Sequence, residues 1–256
     1  DLFYERKLKQ GQSLCCFLGE KHLRTWWEAN EGDSVDTRPF DIALIDINPD
    51  LPTHVLERVH GIIQKYFDVF EGSANTLPKP FDTAPIELSF KPNAVPQSIP
   101  EPRWCFAYGK IVEKWATDGL KNGSLEPSQS QWVGRAHIVL KLPSGKTIND
   151  VDIKNYKLGV AGDYRLVNSQ IEKLVPNLPN GTDKLEQVAG YKHYFEADIL
   201  ACYNSFRLAP GKSRESMAIW TPIGLVQPTV LPFGQKNSGT EAQGPYRSAA
   251  RSYEKL

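Results

Sequence analysis

Segments with the period of a helix and segments with the period of a strand alternate along this chain without a regular βαβ order. Residues 50–70 place apolar side chains three and four positions apart, which predicts an amphipathic helix that ends before Gly72. Residues 194–199 alternate apolar and acidic side chains instead, which predicts a strand. A chain that interleaves the two patterns in this way is expected to be an α+β protein, with antiparallel strands and packed helices.

The same two patterns predict six further elements. They are a helix over 105–120, a strand at 137–142, a strand near 158–164, a short helix at 182–189, a strand at 226–231 and a helix from residue 238. The strands at 137–142 and 158–164 are expected to pair as a hairpin with a long connection. Residues 73–102 are rich in proline and are expected to be extended.

Composition removes several classes of protein. A chain of 256 residues with 40% hydrophobic and 11% aromatic residues can bury a sizeable core and is not a disordered sequence. No apolar run reaches the roughly 18 residues of a transmembrane helix, and no signal segment opens the chain, so we expect neither a membrane partner nor secretion. Four scattered cysteines without a Cys-x-x-Cys pair make a zinc site improbable and fit a reducing compartment.

The net charge is zero, but the positively and negatively charged residues are unevenly distributed along the chain. Residues 103–168 carry ten Lys/Arg against six Asp/Glu, and residues 207–256 carry seven against three. Between them, residues 169–206 carry three against five, and residues 1–102 carry ten against sixteen. Two basic segments therefore flank a short acidic one, as expected if phosphates bind the former and metal ions the latter. An ordinary mixed surface is the simpler interpretation of the same counts.

One carboxylate stands out at the end of the predicted strand at 194–199. Asp198 follows an apolar run and precedes a break at residues 201–203. An Asp at a strand end is most often a turn residue, and from the residues alone that interpretation stays open. The alternative is a metal ligand, because Mg²⁺ prefers carboxylate and backbone oxygens. Nucleotidyl transfer uses two such ions held roughly 4 Å apart.

Residues 190–205 read GYKHYFEADILACYNS and resemble the phrase AKYFSKLDLRSGYHQ of gypsy-type LTR-retrotransposon reverse transcriptases. The resemblance implies an incomplete right-hand polymerase, with fingers and part of the palm. It implies that Asp198 is the first catalytic and metal-binding carboxylate and that the carbonyl of Ile199 binds the same ion. It also implies that Tyr203 is the aromatic gate that excludes a ribose 2′-hydroxyl, although a core aromatic is the plain alternative.

Upstream segments resemble the fingers of the same family. Residues 123–132, GSLEPSQSQW, resemble GIIRPSxSPW but place Glu126 where the phrase has Arg and Gln131 where it has Pro. Residues 163–168, DYRLVN, resemble DYRxLN, and the resemblance implies that Asp163 and Arg165 organise the fingers.

The hairpin of the family carries basic residues that bind the triphosphate. The resemblance assigns this role to Lys141 and Lys157, while Leu142 stands at the main basic position of that run. Isolated lysines are more often solvated surface, so these two assignments compete with a plain structural one.

A last motif lies downstream, where residues 231–238, LPFGQKNS, resemble MPFGLxNAP. In the family this segment packs on the nascent base pair and on the template, which implies nucleotide contacts for Phe233, Gly234 and Gln235. A simple β-turn is the alternative. Gly239 replaces Pro and Ala242 replaces Phe of the family pattern.

The motifs divide the chain into three parts. Residues 1–50 form an unassigned N-terminal segment, residues 51–102 a helix and Pro-rich connector, and residues 103–256 reverse-transcriptase-like fingers and a partial palm that stops before a Tyr-x-Asp-Asp motif.

The resemblance implies a fragment of a retroelement RNA-directed DNA polymerase. The full enzyme would use Mg²⁺ or Mn²⁺, deoxynucleoside triphosphates and an RNA or DNA primer–template, in a cytoplasmic retroelement particle or in the nucleus. We expect the chain alone to be inactive, because one carboxylate cannot hold two ions. The alternative is a non-catalytic, retroelement-derived binding or scaffold module with protein partners, motivated by the departures at Glu126, Leu142 and Ala242.

Overall fold

The fold is described from a computed structural model, and the description covers residues 15–16, 20–30, 45, 47–66, 80–141, 150, 152, 154, 158–175, 182, 186, 189–191, 194, 199 and 201–244. Among them, the α-helices are α1 (Glu20–Asn30), α2 (Thr53–Lys65), α3 (Phe106–Asn122), α4 (Arg165–Gln170) and α5 (Lys212–Glu215). The strands are β1 (Cys15–Cys16), β2 (Leu125–Pro127), β3 (Gly134–Lys141), β4 (Leu158–Asp163), β5 (Ile219–Thr221) and β6 (Gly224–Pro228). A 3₁₀ helix covers Cys202–Ser205, and residues 238–244 are helical.

Six strands of the described part form one sheet in the order β1-β3-β5-β6-β2, and β4 pairs with β3 outside that path. The β3–β4 pair is antiparallel from Arg135 opposite Asp163 to Leu140 opposite Leu158, which confirms the predicted hairpin. β5 runs parallel to the start of β3 and antiparallel to β6. The mixture of antiparallel strands and packed helices confirms the α+β class.

The central helix α3 explains how the sheet is covered. Its apolar positions recur every three or four residues, so that Ala107, Ile111, Val112 and Ala116 are buried together. The helix ends at Gly123, whose φ of 78° is the left-handed conformation that glycine adopts without a steric penalty. The buried face belongs to the main core cluster, which also holds strand residues of the sheet.

Helix α1 comes from the segment that the sequence leaves unassigned, yet it shares its core with α3. Leu23 is 1% exposed and belongs to the same cluster as α3. Glu20 accepts a hydrogen bond from the backbone N–H of Ala107 at 2.9 Å, and so satisfies a donor in the first turn of α3. The three-part division of the chain stays a prediction, with the addition that residues 20–30 pack on its third part.

The Pro-rich connector joins distant parts of the chain by single bridges. Ile86 pairs with Leu208, Phe90 with Ile171, and Ser98 with Val133. The side chains of Ile86 and Leu88 are buried, as their alternation indicates, but no continuous strand forms here. Prolines at positions 85, 92 and 96 lack the N–H that a ladder requires, which keeps the pairing local.

Several predicted boundaries move. The first helix begins at Thr53 and ends at Lys65, shorter than the expected 50–70, and Pro52 precedes it without a side-chain cap. Tyr194 and Ile199, the two described residues of the strand expected at 194–199, are not in a strand, and the residues between them lie outside the described part. The strand expected at 226–231 is β6, which begins two residues earlier and ends at Pro228.

Within the described residues, no helix is both long and apolar enough to cross a membrane.

Two glycines of β4 make a matched test of the packing at the end of the hairpin. A methyl group on Gly162 would overlap the buried ring of Tyr164, whereas one on Gly159 would meet only the carbonyl oxygen of Val139, at 3.8 Å. We expect Gly162→Ala to lower the free energy of unfolding by about 1–3 kcal/mol, because the ring cannot move away, and Gly159→Ala to change it by less than about 0.5 kcal/mol. Urea unfolding measures both, and equal effects would contradict the packing described.

Candidate nucleotide and nucleic-acid site

Asp163 organises the turn between β4 and α4. Its carboxylate accepts hydrogen bonds from the Arg165 guanidinium at 2.5 Å and 2.8 Å, and from the Arg165 backbone N–H at 3.1 Å. Nε2 of His137, on the neighbouring strand, lies 3.4 Å from the same carboxylate. The resemblance predicted that Asp163 and Arg165 organise the fingers, and the structure brings the two side chains together.

The surroundings of this carboxylate change its acidity. Hydrogen bonds from Arg165 lower the pKa of Asp163 to about 2, against the opposing effect of partial burial. Full burial raises the pKa of the neighbouring Tyr164, so that its phenol stays neutral. The Arg165 side chain is 85% exposed, so its charge is presented to solvent while its position is fixed by Asp163.

Residues 232–238 form a loop that is fixed to α4 by one amide side chain. Nδ2 of Asn168 donates to the carbonyl oxygen of Gly234 at 2.8 Å, and Oδ1 of Asn168 accepts from the backbone N–H of Lys236 at 2.9 Å. Gly234 has a φ of 90°, which a side chain would make strained, and a methyl group there would lie 3.4 Å from the carbonyl oxygen of Gly162. The loop is therefore pinned at both sides of its turn.

Residues 235–238 of the loop are held by hydrogen bonds among themselves and to Glu172. Oε1 of Gln235 accepts from the backbone N–H of Asn237 at 2.8 Å and lies 3.1 Å from Oγ of Ser238. Asn237 in turn donates to the carbonyl of Glu172 at 2.7 Å. Gln235 is 5% exposed, and its Nε2 has no hydrogen-bond acceptor in the described part of the chain.

An aromatic pair connects the loop to the 3₁₀ helix. The rings of Tyr203 and Phe233 meet edge to face with centroids 5.1 Å apart. Phe233 is 54% exposed, and an added methyl group on Gly239 would lie 3.7 Å from the Tyr203 hydroxyl oxygen. Tyr203, predicted as the sugar gate, and Phe233, predicted as a nucleotide contact, thus share one surface.

The two predicted metal ligands, Asp198 and Ile199, precede Tyr203 in the sequence by five and four residues. Ile199 is described and 39% exposed, whereas Asp198 lies outside the described residues. Ala201 follows with a φ of 48°, a left-handed conformation that is uncommon for residues other than glycine. In the described part of the chain no three His, Cys, Asp or Glu side chains gather as a metal site. The predicted donors, one carboxylate and one carbonyl, are oxygens of the type that Mg²⁺ prefers.

The two lysines predicted to bind the triphosphate stay predictions. Lys141 ends β3, and only its backbone position is described. Lys157 precedes β4 in the sequence, and Leu142 follows β3. Both residues lie outside the described part of the chain.

The structure thus places Tyr203 against Phe233 and bonds the loop at Gly234 to α4, the helix that also carries Arg165. Asn168, Asn237 and His137 are the contributors that sequence reasoning did not assign to the site. Asn168 and Asn237 lie within the segments 163–168 and 231–238 that carry the resemblance, and this position could have pointed to them.

The Asp163–Arg165 contact makes a prediction about pH. The folded-state pKa of Asp163 lies below its unfolded value, so the contact stabilises the fold above about pH 4 and that stability is lost as the pH falls towards 2. Asp163→Asn should therefore lower the free energy of unfolding by about 1–2 kcal/mol at pH 7, less than the shift alone gives because Arg165 is exposed, and by little at pH 2. Asp82→Asn, at an exposed position, is the control. If the free energy of unfolding of the wild type and of Asp163→Asn differed by the same amount at pH 7 and pH 2, the stabilising Asp163–Arg165 contact would be contradicted.

Comparison with known proteins gives one kind of match. No protein-family model and no curated protein sequence matches the chain. Among solved structures, the selenomethionine-labelled prototype foamy virus protease–reverse transcriptase CSH mutant matches with a TM-score of 0.62 and 17% identity over 79% of this chain. The foamy viral protease–reverse transcriptase in complex with RNA/DNA hybrid matches with a TM-score of 0.59 and 11% identity over 96% of this chain. The foamy viral protease–reverse transcriptase dRH in complex with double-stranded DNA matches with a TM-score of 0.55 and 14% identity over 79% of this chain.

The chain spans only part of these neighbours. It covers 25% of the CSH mutant, 28% of the protein in the RNA/DNA complex and 33% of the dRH protein in the double-stranded DNA complex. At these identities the comparison establishes the architecture. The chain has the α+β fold of reverse-transcriptase fingers and palm.

Proposed function

We propose that this chain is the fingers and part of the palm of a retroelement RNA-directed DNA polymerase of the gypsy type. One observation carries the proposal: segments that resemble separate motifs of that family meet in space. Asn168 bonds the loop at Gly234 and Lys236, and Tyr203 contacts Phe233 of the same loop. A coincidental likeness of short phrases would not place them against one another.

Each side chain of this surface has a role in template-directed nucleotidyl transfer. Tyr203 lies beside the sugar of the incoming nucleotide, and its hydroxyl limits the space for a 2′-hydroxyl. Phe233 and the glycine backbone at Gly234 contact the nascent base pair, with Gln235 beneath them. Arg165, Lys141 and Lys157 supply positive charge to the phosphates.

Asp198 and the carbonyl of Ile199 hold a divalent ion in this proposal. When bound, Mg²⁺ or Mn²⁺ lowers the pKa of the primer hydroxyl and stabilises charge on the phosphates. The first carboxylate alone does not complete a two-ion site, so activity requires the further carboxylates of a longer polymerase.

The partners follow from the proposed reaction. Two of the similar structures are complexes with double-stranded DNA and with an RNA/DNA hybrid, which supports a primer–template as the ligand of this chain. We place the protein in a cytoplasmic retroelement particle or in the nucleus, where such nucleic acids are found.

A second candidate is a non-catalytic binding or scaffold module derived from a retroelement. It is favoured by Glu126, which pairs with Arg214 at 3.0 Å in a purely structural contact, and by Ala242, a small residue that is 6% exposed. In such a module the nucleotide surface would survive as part of the fold, without metal binding.

Primer–template binding tests the proposed surface. Arg165→Ala should weaken binding and reduce the slope of log K against log salt by about 0.9, because one phosphate contact is lost. Asn168→Ala should weaken binding without changing that slope, because it removes only the bonds that hold the loop. Arg58→Ala, in α2, is the charge control. Fluorescence anisotropy over a salt series measures all three, and binding unaffected by both site variants would contradict the proposal.

Metal binding separates the two candidates. If Asp198 is a metal ligand, Asp198→Asn should leave the free energy of unfolding within about 0.5 kcal/mol of the wild type and weaken Mn²⁺ binding measured by calorimetry. Asp118→Asn, in α3, is the control. Unchanged Mn²⁺ binding would favour the non-catalytic module, and a variant that does not fold would show that Asp198 is structural.

A further inference from the structure

A polar cleft of about 330 Å³ lies at the edge of the sheet formed by β2 and β6. Pro127 at the end of β2 and the following residues 128–132 form one side, and Pro96, Glu215 and Gln227 complete the lining. Its volume is at the lower end of the roughly 300–1,000 Å³ typical of ligand pockets. None of these residues belongs to the nucleotide surface described above.

Two departures from the family phrase meet at this cleft. Gln131, which stands where the phrase has Pro, lines it directly. Glu126, which stands where the phrase has Arg, lies in β2 beside it and bonds to the lining residue Gln227. At these two positions the chain departs from the family phrase, and the proposed polymerase function does not account for the residues found there.

The wall of the cleft is held by a satisfied hydrogen-bond network. Gln227 is 9% exposed, donates to Glu126 at 2.7 Å and accepts from the Ser128 hydroxyl at 2.6 Å. The second oxygen of Glu126 accepts from Arg214 at 3.0 Å. Trp132 is fixed against the ring of Phe90, with centroids 5.6 Å apart. A cleft built in this way exists before a ligand arrives, which lowers the cost of binding.

Other polar side chains of the lining are unused. In the part of the chain that the structure describes, the side chains of Gln129, Gln131 and Glu215 form no hydrogen bond or ion pair, and all three residues are exposed. They present one carboxylate and two amide oxygens as acceptors, and two amide groups as donors.

The charged groups of the lining indicate the charge of a suitable ligand. One carboxylate and no cation line the cleft, and the nearby charge of Arg214 is already paired with Glu126. A phosphate would be repelled, whereas a cationic donor would be attracted. A guanidinium suits this set best, because its planar fork offers five N–H groups to carboxylate and amide oxygens, while the exposed rings of Pro96 and Pro127 offer an apolar surface to the alkyl stem.

We propose that this cleft binds an arginine side chain of a peptide segment in a partner protein. The cleft is a protein-interaction site independent of the nucleotide surface, so it is present whether or not the chain belongs to an active polymerase. Glu215 pairs with the guanidinium, Gln129 and Gln131 bond to it and to the adjoining peptide groups, and the prolines and Trp132 contact its alkyl stem.

The test uses the whole chain labelled with ¹⁵N and two short blocked peptides, Gly-Arg-Gly and the same peptide with neutral citrulline in place of arginine. The arginine peptide should produce saturable shifts of the side-chain amides of Gln129 and Gln131 and of the Trp132 indole. The citrulline peptide should bind at least about tenfold more weakly, because the charge-assisted hydrogen bonds are lost.

Variants locate the interaction. Glu215→Gln should weaken binding of the arginine peptide about tenfold, and Gln131→Ala should weaken it less, while Glu57→Gln, the same chemical change in α2, should have no effect. An unchanged spectrum away from the cleft shows that each variant is folded.

Three results would overturn the proposal. They are equal shifts with both peptides, arginine-peptide binding that Glu215→Gln leaves unaltered, and shifts of the cleft resonances by a single-stranded oligonucleotide instead of the arginine peptide. Loss of primer–template binding in the Arg165 variant bears only on the proposed polymerase, so the two proposals fail separately.

Discussion

The hydrogen bonds of the Asn168 side chain hold the candidate site together. One carboxamide in α4 bonds the carbonyl of Gly234, 66 residues away in the chain, and the backbone N–H of Lys236. The loop turns at Gly234, whose φ of 90° glycine adopts without a steric penalty, and the two bonds fix the backbone beside the exposed ring of Phe233. The position of Phe233 against Tyr203 therefore depends on an amide side chain that contacts neither ring.

The β3–β4 hairpin and the buried Tyr164 fix the position of α4, and with it the side chain of Asn168. Gly162 leaves room for the ring of Tyr164 to fold back under β4, and Tyr164 immediately precedes α4, where Asp163 holds Arg165. The core beneath is shared by helices from distant parts of the chain, since α1 packs on α3 and the connector bridges to Leu208 and Ile171. The proposed nucleotide surface thus lies at one edge of this core, and the proposed arginine-binding cleft lies at the β2–β6 edge.

Local patterns predicted the elements whose causes are local. The apolar spacing of α3 and the apolar runs of β3 and β4 lie in consecutive residues, and all three elements form, although β3 begins three residues earlier than expected. The cap that Glu20 supplies to Ala107 joins residues 87 positions apart, and no local period encodes it. The strand expected at 194–199 stays a prediction over residues 195–198, which lie outside the described part, while its two ends, Tyr194 and Ile199, are not in a strand. The roles of Asp198 and Lys157 stay predictions from the resemblance.

Backbone amide shifts on titration with primer–template test the central claim most directly, because they report every segment in one experiment. If one nucleotide-facing surface exists, the amides of residues 163–168, of Tyr203 and of residues 233–238 should shift together and saturate at a single concentration. Shifts confined to one of these segments, or distributed over α1 and α2 instead, would contradict the account.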